Sequence, residues 1–306
     1  MALRFPVGVR VAMLVAALLL TVPPPAHATW LTPATTGSVT LIGAGDIAVC
    51  GSNVRDSATA QVVSDVLVGD PTAIAFTAGD NVYPDGSASW YSACYEPTWG
   101  AFKSRTRPVP GNHDYYNNPT GAGYFGYFGS LAGPSGRGWY AYDAGTWRVY
   151  ALNSECAVAS RCYARQYAWL ATDLAANPRQ CVTAIWHRPR FSTGPHGSSA
   201  RMAAVFKLLY DNGAELVVNG HDHMYERFAP LAPNGMVDAA LGVREFVVGS
   251  GGASLYGFQT SYAGLEVRDN TTRGVLRLDL APGGYAWHFL PARIGAFTDA
   301  GAGTCH

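Results

Sequence analysis

An α/β fold whose loops gather at one end of a sheet is what this sequence predicts, and three observations carry that reading. Residues 39–44 and 73–77 are apolar runs separated by an amphipathic stretch. A β, α, β order within roughly forty residues favours parallel pairing through a crossover helix. Both runs end in Gly-Asp, at Gly45-Asp46 and Gly79-Asp80. Thirty-five glycines and 19 prolines among 306 residues imply many tight turns, hence long functional loops on a rigid sheet rather than a helical bundle.

The first 28 residues combine a basic start (Arg4, Arg10), an apolar core at residues 11–22 and a small-residue ending, Ala26-His27-Ala28. That is the pattern of a secretory signal peptide, and the apolar run is short for a membrane span. The alternative is an uncleaved N-terminal anchor. No cysteine follows the cleavage point to carry a lipid, and no second membrane segment is evident. Removing Arg4 and Arg10 from the 21 basic side chains leaves 19 against 21 acidic ones, a formal −2. Nothing in that balance calls for nucleic acid or an anionic membrane as a partner. Residues 29–306 suffice for a single domain with a sizeable core. Two domains are not required.

Residues 56–68 place Ala58, Val62, Val63, Val66 and Leu67 at helical spacing. Residues 90–102 read as helical and 107–110 as a short strand. From 115 to 138 the chain is rich in Gly, Tyr, Phe and Asn with no usable period, which predicts a long surface loop. Its aromatics, Tyr124, Phe125, Tyr127 and Phe128, read as packing. A hairpin is expected at 139–153, helices at 163–176 and 198–210, and strands at 181–186 and 216–218. Strands at 245–248, 264–268, 275–280 and 285–290 complete a strand-rich ending.

Six cysteines (Cys50, Cys94, Cys156, Cys162, Cys181, Cys305) all lie beyond the signal. An even number in an exported chain favours disulfides over thiolate metal sites, though about fifteen pairings are open. The close pair Cys156–Cys162 is the first choice, with Cys50–Cys94 and Cys181–Cys305 after it.

Five strand-end stretches carry the chemistry: Gly45-Asp46, Gly79-Asp80-Asn81-Val82-Tyr83, Gly111-Asn112-His113-Asp114, Trp186-His187-Arg188-Pro189 and Gly220-His221-Asp222-His223. Each supplies oxygen or imidazole donors after an apolar run, often behind a glycine that lets the backbone turn. A lone His-x-His is a weak signal. Five such stretches offer donors for two ions, of a kind that suits iron, manganese or zinc. Ligands of open α/β sheets collect where strands end.

With these motifs the chain resembles the calcineurin-like metallophosphoesterases, and within them the small single-domain purple acid phosphatases. The resemblance spans residues 39 to about 252. In most of that superfamily the first motif is Asp-x-His, but here it is Asp46-Ile47-Ala48, and Tyr83 stands three residues after Asp80. The resemblance implies a four-layer α/β/β/α sandwich with two mixed β-sheets. It implies Fe(III) held by Asp46, Asp80, Tyr83 and His223, with Asp80 bridging to a divalent iron, zinc or manganese ion held by Asn112, His187 and His221. The implied activity is hydrolysis of small phosphate monoesters outside the cytoplasm by metal-activated hydroxide.

His113 and His196 are the expected substrate-side residues. His113 is favoured for the phosphate contact and His196 for the general acid, with Asp114 orienting His113. Asp222, between two ligands, is expected to face away from the ions, and Arg188 and Arg190 to be solvated. Rival readings are a phosphodiesterase or nucleotidase on the same site, and an exported metal- or phosphate-binding protein without catalysis.

Overall fold

The computed structural model describes residues 1–2, 37–51, 54–156 and 162–306. The expected signal peptide lies almost wholly outside these residues. Among the described residues no helix is long and apolar enough to cross a membrane.

Two mixed sheets form the centre. The first runs β15-β14-β13-β1-β3-β5, from β1 (Val39–Ala44), β3 (Ile74–Thr77), β5 (Thr106–Arg107), β13 (Gly274–Ala281), β14 (Gly284–Pro291) and β15 (Asp299–Thr304). Its β1, β3 and β5 are parallel, and the rest antiparallel. The second runs β12-β10-β11-β9-β8-β7-β6, from β6 (Tyr140–Ala144), β7 (Trp147–Ala151), β8 (Val182–Ile185), β9 (Ala214–Asn219), β10 (Tyr225–Phe228), β11 (Arg244–Val248) and β12 (Leu265–Asp269). Here β7, β8, β9 and β11 are parallel, with antiparallel strands at the margins. A small parallel pair, β2 (Ala48–Val49) with β4 (Val82–Tyr83), sets Tyr83 opposite Val49 and so beside the loop that carries Asp46.

The sheets meet through large rings: Tyr225 with Phe289 at 4.5 Å between centroids, Phe246 with Trp287 at 5.8 Å and Trp147 with Tyr285 at 5.9 Å. The helix Val54–Gly69 covers the first sheet, against β1, β3, β13 and β14. The helices Tyr163–Ala176 and Ala203–Asp211 bury Leu170, Leu174, Val205, Phe206 and Leu209 with Tyr150 and Val182 of the second sheet and with Trp186, just past β8. This is the four-layer α/β/β/α sandwich that the resemblance implied. Apolar burial at roughly 25 cal/mol per Å² drives both faces of each sheet to be covered.

The disulfides are Cys50–Cys94, Cys156–Cys162 and Cys181–Cys305, the favoured pairing. Residues 115–138 correct one expectation. They form short helical turns, Ala122–Phe128 and Gly129–Ala132, rather than a surface loop. Tyr124 and Phe128 are buried, packing on Tyr91, Tyr95 and each other, so ring contact supplies the order that periodicity did not show.

Candidate metal centre

All five motif stretches follow strands whose C-terminal ends converge. In the first sheet Asp46 follows β1, Asp80 follows β3 and Asn112 follows β5. In the second His187 follows β8, and His221 with His223 follow β9. Main-chain bonds lock the two sets of ends together: Gly45 N donates to Val248 O at 2.9 Å, and Gly251 N to Gly45 O at 3.0 Å. Among the described residues, three that are not glycine have positive φ, namely Asp46 (60°), Asp80 (48°) and His221 (72°), and all three are candidate ligands. A left-handed backbone costs an L-residue about 1–3 kcal/mol and tends to persist at functional sites. The preceding glycines make room: a Cβ on Gly79 would stand 2.5 Å from the His187 ring, and one on Gly220 would stand 2.6 Å from Asp46 Oδ2.

The first cluster joins the Tyr83 hydroxyl, 2.8 Å from Asp46 Oδ1, 3.1 Å from Asp80 Oδ2 and 3.0 Å from His223 Nε2. His223 Nε2 and Asp46 Oδ1 are 3.2 Å apart. In the second, His187 Nε2 is 3.3 Å from Asp80 Oδ2, 3.1 Å from Asn112 Oδ1 and 3.1 Å from His221 Nδ1. One oxygen, Asp80 Oδ2, therefore belongs to both clusters. Two ligands at right angles, each about 2.05 Å from an octahedral cation, are about 2.9 Å apart. The observed spacings fit that edge.

The donors are aimed from behind. His187 Nδ1 lies 2.9 Å from Ala78 O and His223 Nδ1 lies 2.7 Å from Ser254 O, so each ring spends its outer N–H on a carbonyl and turns Nε2 inward. Asn112 Nδ2 donates to the Tyr116 hydroxyl at 2.8 Å, leaving Oδ1 to the centre. Tyr256 stacks on His223 at 3.9 Å between centroids.

Electrostatics show that the cluster has more acceptors than cations. Burial, followed by the Asp46 and Asp80 charges, drives the Tyr83 phenol well above its ordinary 10.0. Burial works against the Asp80 carboxylate, but His187 above all holds it ionised and well below its usual range. His187 in turn is pulled down by burial and raised by Asp80, to about 9 overall. Burial, then His187 and Arg188, keep His221 neutral. A phenol and two carboxylates packed this closely fit a cation better than they fit each other.

The structure sets the other predicted residues as follows. His113 lies between the rings of Tyr83 and Tyr116, at 4.3 and 4.4 Å, with Nδ1 2.6 Å from Pro84 O and Nε2 3.9 Å from Asp80 Oδ2. His196 stacks on His221 at 4.2 Å. Asp114 does not orient the His113 ring. Its carboxylate accepts from Asn81 Nδ2, Gly111 N and the Tyr91 hydroxyl, which makes it a buried pin for the loop that carries Asn112. Burial, helped by Asp80, pushes it up to about 6. Asp222 faces away from the clusters, as expected, accepting from the Ser192 hydroxyl and His196 N.

Arg188 and Arg190 are not simply solvated. Arg188 clasps Glu155 at 2.7 and 3.2 Å and places Nη1 2.9 Å from His221 Nε2. Arg190 donates through its main chain to Glu245 at 2.7 Å and lies over the Phe191 ring. Sequence reading missed Glu155 and Arg188, partners 33 residues apart, and Tyr256, 33 residues from His223, separations too long for a local pattern to show; it also missed Tyr116, which lies only one helical turn from Asn112.

The sequence model of the calcineurin-like phosphoesterases matches residues 40–225, more than half of the chain and all but the last strands. This chain belongs to the calcineurin-like phosphoesterase family. Among curated relatives of this phosphoesterase, purple acid phosphatase 15 of Arabidopsis thaliana is 31% identical over an alignment of 219 residues that covers 60% of this chain and 41% of that one. The uncharacterized protein Rv2577 of Mycobacterium tuberculosis is 29% identical over 48% of this chain and 35% of its own. The phosphoesterase thus spans less than half the length of these relatives. Its fold matches purple acid phosphatase PPD1 from yellow lupin seeds with a TM-score of 0.64 at 19% identity, over 89% of this chain and 55% of that one. It also matches GAP50, the anchor in the inner membrane complex of Plasmodium, with a TM-score of 0.68 at 14% identity, over 88% and 89% of the two chains.

Proposed function

We propose that this phosphoesterase is an exported phosphatase with a dinuclear metal centre that hydrolyses phosphate monoesters. One observation carries the reading: donor side chains from five strand ends form two clusters that share a single carboxylate oxygen of Asp80. A fold that also serves an anchor protein does not by itself carry catalysis. The donor set does. Asp46, Asp80, Tyr83 and His223 would hold Fe(III), because a phenolate is a hard anionic donor. Asp80, Asn112, His187 and His221 would hold a divalent iron, zinc or manganese ion.

When bound, two such ions polarise the phosphoryl oxygens and lower the pKa of water at the site. The chain's own residues position the substrate and move protons. His113 gives Nδ1–H to the Pro84 carbonyl, which leaves Nε2 beside the shared Asp80 oxygen to contact a phosphate. His196, flat against His221 and held by Asp222 through its own N–H, would protonate the departing alkoxide. Asp114 acts only by holding the loop. The proposal includes a signal peptide at residues 1–28 and one catalytic domain at 29–306, and three disulfides support an oxidising compartment. The substrate is a small phosphate ester rather than nucleic acid.

Metal analysis with a visible spectrum of the oxidised protein, beside phosphate release from phenyl phosphate and from its bis-phenyl ester, tests this. Two ions per chain, a charge-transfer colour that Tyr83→Phe bleaches, and preference for the monoester are expected. A colourless, active, zinc-only protein removes the iron assignment. Two bound ions without phosphate release remove the enzyme.

A further inference from the structure

A cavity of about 360 Å³ opens beside the second cluster, lined by Arg188, His196, Gly197, Ser199, Arg201 and His221 among others. It touches the metal centre through His221, so whatever fills it is contiguous with a phosphate held there. The lining carries two guanidinium groups and two imidazoles, and no carboxylate. Such a volume lies within the usual range for small-molecule sites, about 300–1,000 Å³.

Arg188 makes this more than a basic patch. Its Nε and Nη2 are engaged by the two oxygens of Glu155, and its Nη1 faces His221. Glu155 is itself fixed: its N–H donates to Asn153 Oδ1 at 3.1 Å, and the next residue, Cys156, is bridged to Cys162. A guanidinium has five N–H donors; Glu155 takes one from Nε and one from Nη2, which leaves the Nη1 edge of the fork, beside His221, for an anion. Holding the side chain in advance removes the entropy cost of ordering it when a ligand binds. Ser199 and Arg201 belong to the turn that leads into the helix Ala203–Asp211, whose positive end adds to the same field.

The geometry points to a subsite for a second phosphoryl group, making small substrates with two phosphoryl groups the preferred class. This rests on the monoesterase reading above: one phosphoryl group is cleaved at the metals while the other sits against Arg188 and Arg201. A phosphoanhydride and a separate ester on the same small molecule both supply such a second group. Both present the same dianionic oxygens to the fork.

Steady-state kinetics of the metal-loaded enzyme on phenyl phosphate, inorganic pyrophosphate and fructose 1,6-bisphosphate provide the test, in wild type, Arg201→Gln and Ser199→Asp. Calorimetric binding of methylenediphosphonate against phenylphosphonate provides a readout without turnover. The expected result is a higher kcat/KM for at least one two-phosphoryl substrate than for phenyl phosphate. That ratio should fall about tenfold in both variants through KM, with methylenediphosphonate binding weakened in parallel. Preference for pyrophosphate assigns an anhydride, and preference for the bisphosphate a separated ester. Equal kcat/KM for all three in wild type, or ratios unmoved by both variants, overturns the subsite. Failure of wild type on phenyl phosphate while two ions are bound overturns the underlying reading instead, so the two failures are distinct.

Discussion

Gly111→Ala isolates the geometry of the shared carboxylate. A Cβ on Gly111 would lie 2.2 Å from Asp80 Oδ1 and 2.3 Å from Asp80 N, where ordinary contact begins near 3.4 Å. Asp80 must therefore retreat by about 1.2 Å, whereas metal–ligand distances tolerate only about 0.2 Å. Because Asp80 Oδ2 stands in both clusters, affinity for both ions should fall together. Overpacking of this kind costs about 1–3 kcal/mol, against about 5–15 kcal/mol of total stability, so the chain should still fold. Gly126→Ala is the control, since a Cβ there meets nothing within 4 Å. Metal content by atomic emission and thermal unfolding measure the two effects separately. A folded Gly111→Ala protein that retains two ions at wild-type affinity would refute the bridging geometry, and so would metal loss in Gly126→Ala.

Two further outcomes follow from the framework around the site. Glu245 is buried beneath the Arg190–Phe191 main chain, and burial pushes it up to about 8 from an ordinary 4.5. A raised acid contributes stability that is present below pH 4.5 and lost as pH rises toward 8, worth on the order of 5 kcal/mol at its upper bound. Denaturant unfolding at pH 5 and 8.5 should show that loss, and Glu245→Gln should flatten it; an unchanged slope in the variant would be the contrary result. Removing Cys181–Cys305 by paired serine substitution frees β15 by opening a loop of 124 residues. Chain entropy puts the cost at about 5 kcal/mol. Stability should fall while both ions stay bound, and loss of metal in the folded variant would contradict the separation of that bridge from the site.

Much of the site was legible because its donors sit where a buried strand stops. An apolar run, a glycine and a polar residue form a local pattern, and it recurs at Asp46, Asp80 and His221. The register between Ala48–Val49 and Val82–Tyr83, which brings the phenol to Asp46, was not readable, since two-residue strands leave no period. Strand β10 escaped notice because Glu226 is buried within it, bonded to Ser192 and Thr193, so its pattern breaks the apolar rule. Strand β15 reads Asp-Ala-Gly-Ala-Gly-Thr, without β-branched residues until its last position, and exists as an edge paired to β14. Arg188 was misjudged for a related reason. Its partner Glu155 lies 33 residues away, and no spacing rule joins them.

The candidate ligands and the strained backbone coincide for a physical reason. A strand directs successive side chains to opposite faces, so a donor inside the sheet would point into packed core or away from the other sheet. Only past the last ladder bond can the chain reverse its direction, and a positive φ at Asp46, Asp80 and His221 does so in one residue. The cost is met by neighbours that have no other place to be: Asp46 Oδ2 accepts from His221 N at 2.8 Å, and Asp80 Oδ1 accepts from His113 N at 2.8 Å. Asp46 thus ties the first sheet to the His221 stretch of the second, and Asp80 ties the end of β3 to the neighbouring His113 stretch of its own sheet. Main-chain N–H groups of the neighbouring stretches hold both aspartates, so the spacing of the candidate donors rests on the fold's own hydrogen bonds.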